Sequence, residues 1–416
     1  MDQPGGTESG IDRRSRRLWT AAVLLFVALS GLGMQMRGAL LPTLGTQWGV
    51  SDSLLGLVGP AGTLGYVVTV LAVGAVAGRV DTRRYFLLGM GVIVVGIVGM
   101  GFSPVVGSSS QWHAILGIVG MGFSPLFFAY LGFLLLRGLG TGAVRALDRP
   151  LLSHYYPHAR GRVFNLYDLA WAVGAAAGPA LMSVAIANGN WRLAYYGLAV
   201  AFVVLLAFIW VLDAPADGDE TPLDITAALD LLRTPAIAAM AAALIFHTGL
   251  EGGMFIWLPT FGHRVAGFGT ETANYLLSAF VLAYIPGRLI YTFIADRVGY
   301  GPLIVGLELL IVPTFLWTFF VADGLAVFAG VVVLGALVSG LFPTLVAFGT
   351  QAAPEYSAPI NAIGMATGSL SMAMVPWLLG VFTQDYGIQQ AMWLPLALTL
   401  GVAPVVLLAR RVDPNI

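Results

Sequence analysis

The chain contains neither cysteine nor lysine, and it has few charged residues of any kind. The absence of cysteine excludes disulfides, thiol nucleophiles and cysteine metal ligands. Charged residues make up 10% of the 416 positions, whereas an average soluble domain has about 25%. A soluble enzyme, a disordered chain or a nucleic-acid-binding protein would need more charge than this, so all three classes are excluded.

Apolar residues take the place of the missing charge. They make up 58% of the chain, and the mean hydropathy is +0.86. Since about 20 apolar residues cross a bilayer as a helix, the sequence predicts twelve spans, at 18–43, 54–78, 85–104, 126–147, 163–187, 193–212, 236–259, 273–294, 302–322, 325–349, 359–382 and 389–409. These runs are longer than the alternating segments of about ten residues that build a membrane β-barrel. We therefore predict an all-α membrane protein embedded in the lipid bilayer.

The distribution of arginine predicts the orientation in the membrane. With the N-terminus inside, 15 arginines fall in inside segments and two, Arg192 and Arg264, in outside loops. Because cytoplasmic loops are rich in basic residues, we expect a multi-pass protein of the plasma membrane with both termini in the cytoplasm. The acidic, proline-containing segment 213–235 divides the chain into an N-terminal tail at 1–17, a six-helix bundle at 18–212, a cytoplasmic linker at 213–235, a second six-helix bundle at 236–409 and a C-terminal tail at 410–416.

Two internal repeats refine this division. The segment 77–81 (AGRVD) after the second span matches 295–299 (ADRVG) after the eighth, which indicates a duplicated bundle. The sequence GIVGMGFSP occurs at 96–104 and again at 117–125, so we interpret 105–125 as an external insertion. A lid over the outer vestibule and a neutral insertion both remain open as its role.

The loop after the second span carries a family signature. Its sequence from Gly74 to Arg84 resembles the G-x-x-x-D-R-x-G-R-R motif of the major facilitator superfamily, although Gly78 and Asp81 exchange the motif's Asp and Gly. The resemblance implies twelve helices in two pseudo-symmetric six-helix bundles, a central cavity and transport by alternating access. It also implies a cytoplasmic latch between the halves, formed by Gly74, Arg79, Asp81, Arg83, Arg84, Asp296 and Arg297. Plain positive-inside charge is the alternative for these residues.

Two arginines lie within predicted spans of the first half. Arg137 opens an R-G-x-G-x-G pattern in the fourth span; no strand precedes it, so it is not a nucleotide loop. An arginine in mid-span is functional by default, and we predict that Arg137 lines the cavity and serves the substrate or a proton relay, with a packing ion pair as the alternative. Arg37 and Gln35 in the first span are predicted to contact the substrate, unless Arg37 extends outward to the interface.

The fifth span adds polar residues near its cytoplasmic end. Tyr167 and Trp171 are four residues apart and share a helix face, so we predict that both contact the substrate. Asp168 lies inside the span and is predicted to take part in proton coupling. Its alternative is an ion pair with Arg160 or Arg162 near the surface.

The seventh span is the most suggestive. His247 and Glu251 are four residues apart on one face, and glycines surround Glu251. Glycine-interrupted helices near the middle of the membrane are typical of transporter sites. We predict that Glu251, assisted by His247, is the proton-coupling pair. A structural carboxylate paired with Arg37 or Arg137 is the alternative.

The second half resembles one group within the superfamily. The patterns at 249–252 (GLEG), 286–288 (PGR), 340–344 (GLFPT) and 376–380 (PWLLG) are similar to those of the fucose/glucose–proton symporters. This resemblance implies proton-coupled, sugar-type symport. Tyr284 and Asn361 are weaker candidates for substrate contact. Arg288 and Glu308 lie at similar depth in neighbouring spans, and we predict a structural ion pair between them.

Other chemistry is not predicted. The histidines have no metal-ligand spacing, so we expect no metal site and no cofactor. Without a P-loop the energy for transport must come from an ion gradient or from the solute gradient itself. The expected partners are a small-molecule solute and a coupling ion, a proton before sodium, and the protein is expected to act as a monomer and not as an enzyme. Three alternatives remain: proton-driven efflux of amphipathic drugs, transport of organic anions suggested by Arg37 and Arg137, and a non-transporting membrane sensor.

Overall fold

The computed structural model describes residues 13–74, 76, 81–106, 124–157, 159–215, 230–353 and 356–412, and these residues form helices without any strand. In chain order the helices are α1 (Arg13–Trp48), α2 (Asp52–Leu55), α3 (Val58–Gly74), α4 (Thr82–Val106), α5 (Pro125–Tyr155), α6 (Arg160–Ala187), α7 (Arg192–Trp210), α8 (Pro235–Arg264), α9 (Thr270–Leu282), α10 (Tyr284–Val298), α11 (Tyr300–Phe320), α12 (Leu325–Val338), α13 (Leu341–Ala352), α14 (Ser357–Tyr386), α15 (Ile388–Ala391) and α16 (Trp393–Val412).

Twelve helical segments are long and apolar enough to cross a membrane, which confirms the predicted number of spans and the fold class. Four of these segments consist of two helices in succession, α2–α3, α9–α10, α12–α13 and α15–α16. Proline explains each break, because it has no N–H to donate to the carbonyl four residues earlier. The four prolines, each with the residue whose carbonyl its missing N–H would have bonded, are Pro60 with Gly56, Pro286 with Leu282, Pro343 with Ser339 and Pro395 with Ala391.

Several helices run past the predicted spans. α1 begins at Arg13 rather than at residue 18, and α5 continues through Pro150 to Tyr155. A helix can continue into water once its apolar part has crossed the bilayer, because its backbone hydrogen bonds are internal. Residues 107–123 of the predicted insertion and 216–229 of the predicted linker lie outside the described residues.

The two ends of the helix bundle differ in charge. Alternate spans run in opposite directions, so the start of α1, the end of α5 and the start of α6 lie at one end, together with most arginines. We call this the arginine-rich end. Asp52, the end of α8 and the start of α9 lie at the other end, which we call the opposite end.

Contacts between the two halves of the chain gather at the opposite end. Arg264 of α8 forms a bidentate ion pair with Asp52 of α2, at 2.7 and 2.9 Å. The side-chain amide of Asn274 donates to the hydroxyl of Ser183 at 3.0 Å. α1 and α8 approach so closely at Gly38 that a Cβ atom there would clash with a backbone carbonyl oxygen of α8. The first and second halves are therefore packed together at this end.

Candidate functional site

A cavity of about 940 Å³ lies between the two halves. Its wall is formed by α1, α3, α5 and α6 from the first half and by α8, α10, α13 and α14 from the second. It extends to Arg162 and Tyr300, close to the starts of α6 and α11 at the arginine-rich end. The residues that join the halves at the opposite end, such as Asp52 and Arg264, are not part of the wall. The cavity therefore opens toward the arginine-rich end.

The wall gathers most of the polar residues singled out from the sequence. Those that line it are Arg37, Arg137, Tyr167, Asp168, Trp171, Glu251, Tyr284, Arg288 and Asn361. Gln35, His247 and Glu308 are buried outside the wall. Most of the polar residues singled out from the sequence thus lie on the wall of one cavity, although not every one of them faces it.

Arg37 and Arg137 both face the cavity, and each is 6% exposed. Arg37 donates from Nε to the carbonyl of Met34 at 2.9 Å and from Nη1 to the carbonyl of Val58 at 3.4 Å. Arg137 donates from Nη2 to the carbonyl of Ser30 at 3.2 Å. Neither arginine forms an ion pair with a described carboxylate. Arg37 therefore does not extend outward, and Arg137 is not held by a packing ion pair.

Gln35 does not take the predicted position. Its side chain is completely buried, its amide has no hydrogen-bond partner among the described residues, and it does not line the cavity. Two residues along a helix correspond to a rotation of about 200°, so Gln35 points away from the cavity that Arg37 faces. Gln35 is therefore not placed on the cavity wall, and its contact with the substrate stays a prediction.

Glu251 lies at the centre of a small polar cluster on the second-half wall. It accepts a hydrogen bond of 2.7 Å from the hydroxyl of Tyr284 on α10. The Nε2 atom of His247, one turn earlier on α8, lies 3.6 Å from the Glu251 carboxylate. Glu251 and Tyr284 line the cavity, and His247 lies behind them. The alternative, an ion pair with either buried arginine of the first half, does not occur.

A denser network joins α5 and α6 near the arginine-rich end. Arg149 pairs with Asp168 at 2.9 Å. The side chain of Arg160, one of the two arginines of α6 that the sequence suggested, lies outside the described residues. The hydroxyl of Tyr167 donates to Asp148 at 2.6 Å and accepts from Arg145. Tyr167 and Asp168 therefore line the cavity with side chains that already have partners in the first half.

Sequence reasoning missed the cavity residues at the end of α5. Arg137, Thr141, Arg145 and Arg149 are spaced four residues apart, and all four line the cavity. The spacing itself indicates one helix face. The prediction ended the fourth span at residue 147, where the apolar run ends, and counted Arg145 and Arg149 as basic residues of the inside segment. The helix continues past the apolar run to Tyr155, so its charged face was not recognised.

The predicted ion pair between Arg288 and Glu308 does not form. Glu308 on α11 is 3% exposed, and neither of its carboxylate oxygens has a hydrogen-bond partner among the described residues. Arg288 instead lines the cavity, with its guanidinium carbon 5.5 Å from the ring centre of Tyr284. Similar depth in neighbouring spans does not make two side chains face each other, and the prediction is wrong.

The contacts that the described latch residues make in the structure lie within the first half. Asp81 pairs with Arg84 at 3.1 Å, and Arg83 donates to the carbonyl of Trp210 on α7. Gly74 ends α3, and Arg297 is exposed on α10. Arg79 and the side chain of Asp296 lie outside the described residues. A latch that joins the halves stays a prediction.

Comparison with known proteins shows the family. The model of the Major Facilitator Superfamily matches residues 23–376, and the chain belongs to this family. Bypass of stop codon protein 6 from Saccharomyces cerevisiae is 23% identical over 93% of this chain and 80% of its own length. The drug efflux pump JefA from Mycobacterium tuberculosis is 31% identical, but over only 36% of this chain and 27% of its own length.

Solved structures share the fold. A bacterial homolog of the human lysosomal transporter Spinster, in an inward-facing and unoccupied conformation, has a TM-score of 0.80 at 14% identity and covers 97% of this chain and 99% of its own. The D-xylose-proton symporter has a TM-score of 0.76 at 14% identity, with 94% and 96% covered. The superfamily transporter FucP in an outward conformation has a TM-score of 0.62 at 14% identity, with 95% and 98% covered. The chain is thus a multi-pass membrane protein of a transporter family and not an enzyme, as the sequence predicted.

Proposed function

We propose that this protein is a proton-coupled secondary transporter that moves a small polar organic solute by alternating access. The observation that carries the proposal is the position of Glu251. Among the described residues it is one of two carboxylates on the cavity wall, and the other, Asp168, is held in an ion pair by Arg149. Glu251 is therefore the cavity carboxylate with no cationic arginine bound to it.

The surroundings of Glu251 suit the exchange of a proton. The carboxylate belongs to α8, which also contributes to the packed contact between the halves at the opposite end. The Glu251 carboxyl oxygen accepts a hydrogen bond from the Tyr284 hydroxyl, and a charged acceptor makes a stronger bond than a neutral one, so protonation of Glu251 would weaken this bond between α8 and α10. Proton binding at the cavity wall would thus alter a contact between two helices of the moving half.

The arginine-rich end is proposed to face the cytoplasm of the cell, because basic residues accumulate on that side of membrane proteins. Transport then requires the contacts at the opposite end to break while the arginine-rich end closes. The division into two bundles at 213–235 and a latch around Asp81 and Asp296 are part of this proposal. Sodium could replace the proton in the same mechanism, and the experiment below separates the two ions.

Several solutes remain within this proposal. Sugar-type symport is supported by the residue patterns at 245–400 and by the fold shared with the D-xylose-proton symporter. Proton-driven efflux is supported by the partial likeness to a drug efflux pump. Both directions would use Glu251, because the proton site is the same in either case.

The test uses purified protein in liposomes that contain a pH-sensitive dye. Sugars, organic acids and cationic drugs are added one at a time under an imposed membrane potential. We expect one class to drive proton movement, and Glu251→Gln to abolish this movement while exchange of substrate across the membrane, which needs no net proton flux, continues. Substrate uptake that requires a sodium gradient and occurs without proton movement would favour sodium coupling.

A matched control is available in the second half. Glu308→Gln removes a buried carboxylate that does not line the cavity, and we expect it to leave proton movement unchanged. The proposal is wrong if uphill transport by Glu251→Gln persists with an unchanged pH dependence. It is also wrong if both variants lose proton movement equally, because the effect would then belong to any buried carboxylate.

A further inference from the structure

The cavity wall carries more positive than negative charge. Among the described residues, six arginines and two carboxylates line it: Arg37, Arg137, Arg145, Arg149, Arg162, Arg288, Asp168 and Glu251. A cleft lined by one sign of charge between apolar walls concentrates ions of the other sign. The charge of the wall therefore favours an anion over a cation or a neutral solute.

Two of the arginines have no charge partner. Arg37 and Arg137 bond only to the backbone carbonyls already described, and neither pairs with a carboxylate of the described residues. The Nε atom of Arg137 is buried without any partner among them. Most N–H donors of the two guanidinium groups thus remain unused. Burial of an unpaired charge is costly, so an unpaired arginine at a cavity wall indicates a ligand that supplies the missing charge.

The two guanidinium groups are neighbours. Arg37 donates to Met34 and Arg137 donates to Ser30, and these two carbonyl groups are four residues apart on α1. That spacing places the two carbonyl groups about 6 Å apart along the helix axis, so the guanidinium groups that bind them lie near each other. Glycine makes room beside each, Gly62 beside Arg37 and Gly33 beside Arg137. One oxyanion can therefore accept hydrogen bonds from both groups, in the fork geometry that arginine offers to carboxylates.

Three aromatic side chains form another part of the cavity wall. Trp171 and Phe255 have ring centres 6.1 Å apart, and Phe255 and Tyr284 have ring centres 6.4 Å apart. All three side chains line the cavity, from α6, α8 and α10. A flat apolar group would pack well against this surface.

We propose, on the basis of the transport function above, that the substrate is a small carboxylate with a flat apolar body. Its carboxylate binds Arg37 and Arg137, and its body lies against the ring of Trp171, which Phe255 and Tyr284 back from behind. A monoanion and one proton carry no net charge together. Proton-coupled transport of such a substrate is therefore insensitive to the membrane potential, whereas a neutral sugar carried with a proton is driven by it.

Binding to the purified full-length protein tests this assignment, with benzoate as the probe. Benzamide has the same ring without the charge, and phenyl phosphate and benzenesulfonate offer other oxyanions. We expect benzoate to bind, benzamide and glucose to bind at least about tenfold more weakly, and Arg37→Gln or Arg137→Gln to weaken benzoate by about tenfold or more, as for the loss of a charged hydrogen bond. If phenyl phosphate binds more strongly than benzoate, the assignment of the substrate as a carboxylate is wrong, and a phosphate ester is favoured instead.

Control variants separate binding from folding. Arg233→Gln removes an exposed arginine outside the cavity and should leave benzoate binding unchanged. Arg137→Lys keeps the charge but loses the fork, and we expect binding between that of Arg137→Gln and the unmodified protein. Equal binding of benzoate and benzamide, or binding that survives both glutamine substitutions, would overturn the proposal.

The transport assay distinguishes this inference from the function on which it rests. Benzoate-driven proton movement that exceeds the movement in protein-free liposomes, is lost in Glu251→Gln and is independent of the membrane potential supports both. Proton movement driven by glucose and not by benzoate would overturn the anion assignment and leave proton coupling intact. Benzoate binding that depends on both arginines, without proton movement in any variant, would leave the anion site intact and overturn proton coupling.

Discussion

The two ends of this molecule use their charged and polar residues differently. At the opposite end, Asp52 and Arg264 belong to different halves and bond across the boundary. At the arginine-rich end, Arg84 bonds to Asp81 and Arg149 bonds to Asp168, and each of these pairs lies within the first half. The halves are therefore held together at one end and left apart at the other, where the cavity opens. Bonds across the boundary, rather than the number of charges, determine which end is closed.

The contacts that close the opposite end are individually weak. Exposed ion pairs stabilise a protein by about 0–1 kcal/mol, and hydrogen bonds between membrane helices by about 0.6 kcal/mol on average. Two conformations that differ by only a few kcal/mol can exchange, and small changes then shift their populations. Substitutions at the opposite end should therefore alter the balance of states, with effects that follow the size of the contact removed.

The largest effect is expected from Gly38→Ala. A Cβ atom at this position would clash with the carbonyl oxygen of Phe255, so α1 and α8 would have to separate. Overpacking of this kind costs about 1–3 kcal/mol, which corresponds to a shift of about fivefold to 150-fold toward an open end. Because the chain lacks cysteine, Ser183→Cys supplies a single reporter at this end. Its reaction with a thiol reagent in detergent should become faster by that factor.

The control for this prediction is another helical glycine. Gly132 of α5 has open space where a Cβ atom would lie, and Gly132→Ala should leave the labelling rate of the Ser183→Cys reporter unchanged. Equal rates in the two alanine variants would show that the approach of α1 to α8 does not hold this end closed.

An intermediate effect is expected from Asp52→Asn. The change removes the charge that pairs with Arg264, and loss of a partly exposed pair should speed labelling of the same reporter by about two- to fivefold. Exchange of the two residues, Asp52→Arg with Arg264→Asp, should restore most of the slow labelling. High salt should reduce the difference between Asp52→Asn and the unmodified protein.

The matched control for the ion pair lies at the other end. Asp230→Asn breaks an exposed pair with Arg233 that does not cross between the halves. We expect no change in labelling, because this pair does not hold two moving parts together. An effect of the same size from both substitutions would mean that net charge, and not the bond across the boundary, controls the opposite end.

The sequence predicted the features that depend on position along the chain. Runs of apolar residues determine the spans because each must cross the same thickness of lipid. Arg137 was identified from its depth and its glycine pattern, and Glu251 from its spacing to His247 and the glycines around it, since a charge in mid-span needs a polar surrounding. Both line the cavity.

Features that depend on rotation around a helix were not predictable in the same way. Gln35 and Glu308 lie at suitable depths but face away from the cavity. Their direction depends on how neighbouring helices pack, which a single sequence does not specify. The same limit explains why the pairing of Asp168 with Arg149 on α5 was not foreseen: the sequence predicted proton coupling for Asp168 and offered only arginines of its own helix as alternative partners.

The smallest effect at the opposite end is expected from Asn274→Ala. The amide of Asn274 donates to the hydroxyl of Ser183, and both side chains are buried between α9 and α6. Loss of one neutral hydrogen bond between membrane helices, about 0.6 kcal/mol, should speed labelling of a Leu277→Cys reporter by about two- to threefold. The double variant with Ser183→Ala should label no faster than Asn274→Ala, because removal of both partners leaves no polar group unpaired. If the two substitutions instead add, each side chain stabilises the closed end independently, and the bond between the halves is not what holds them.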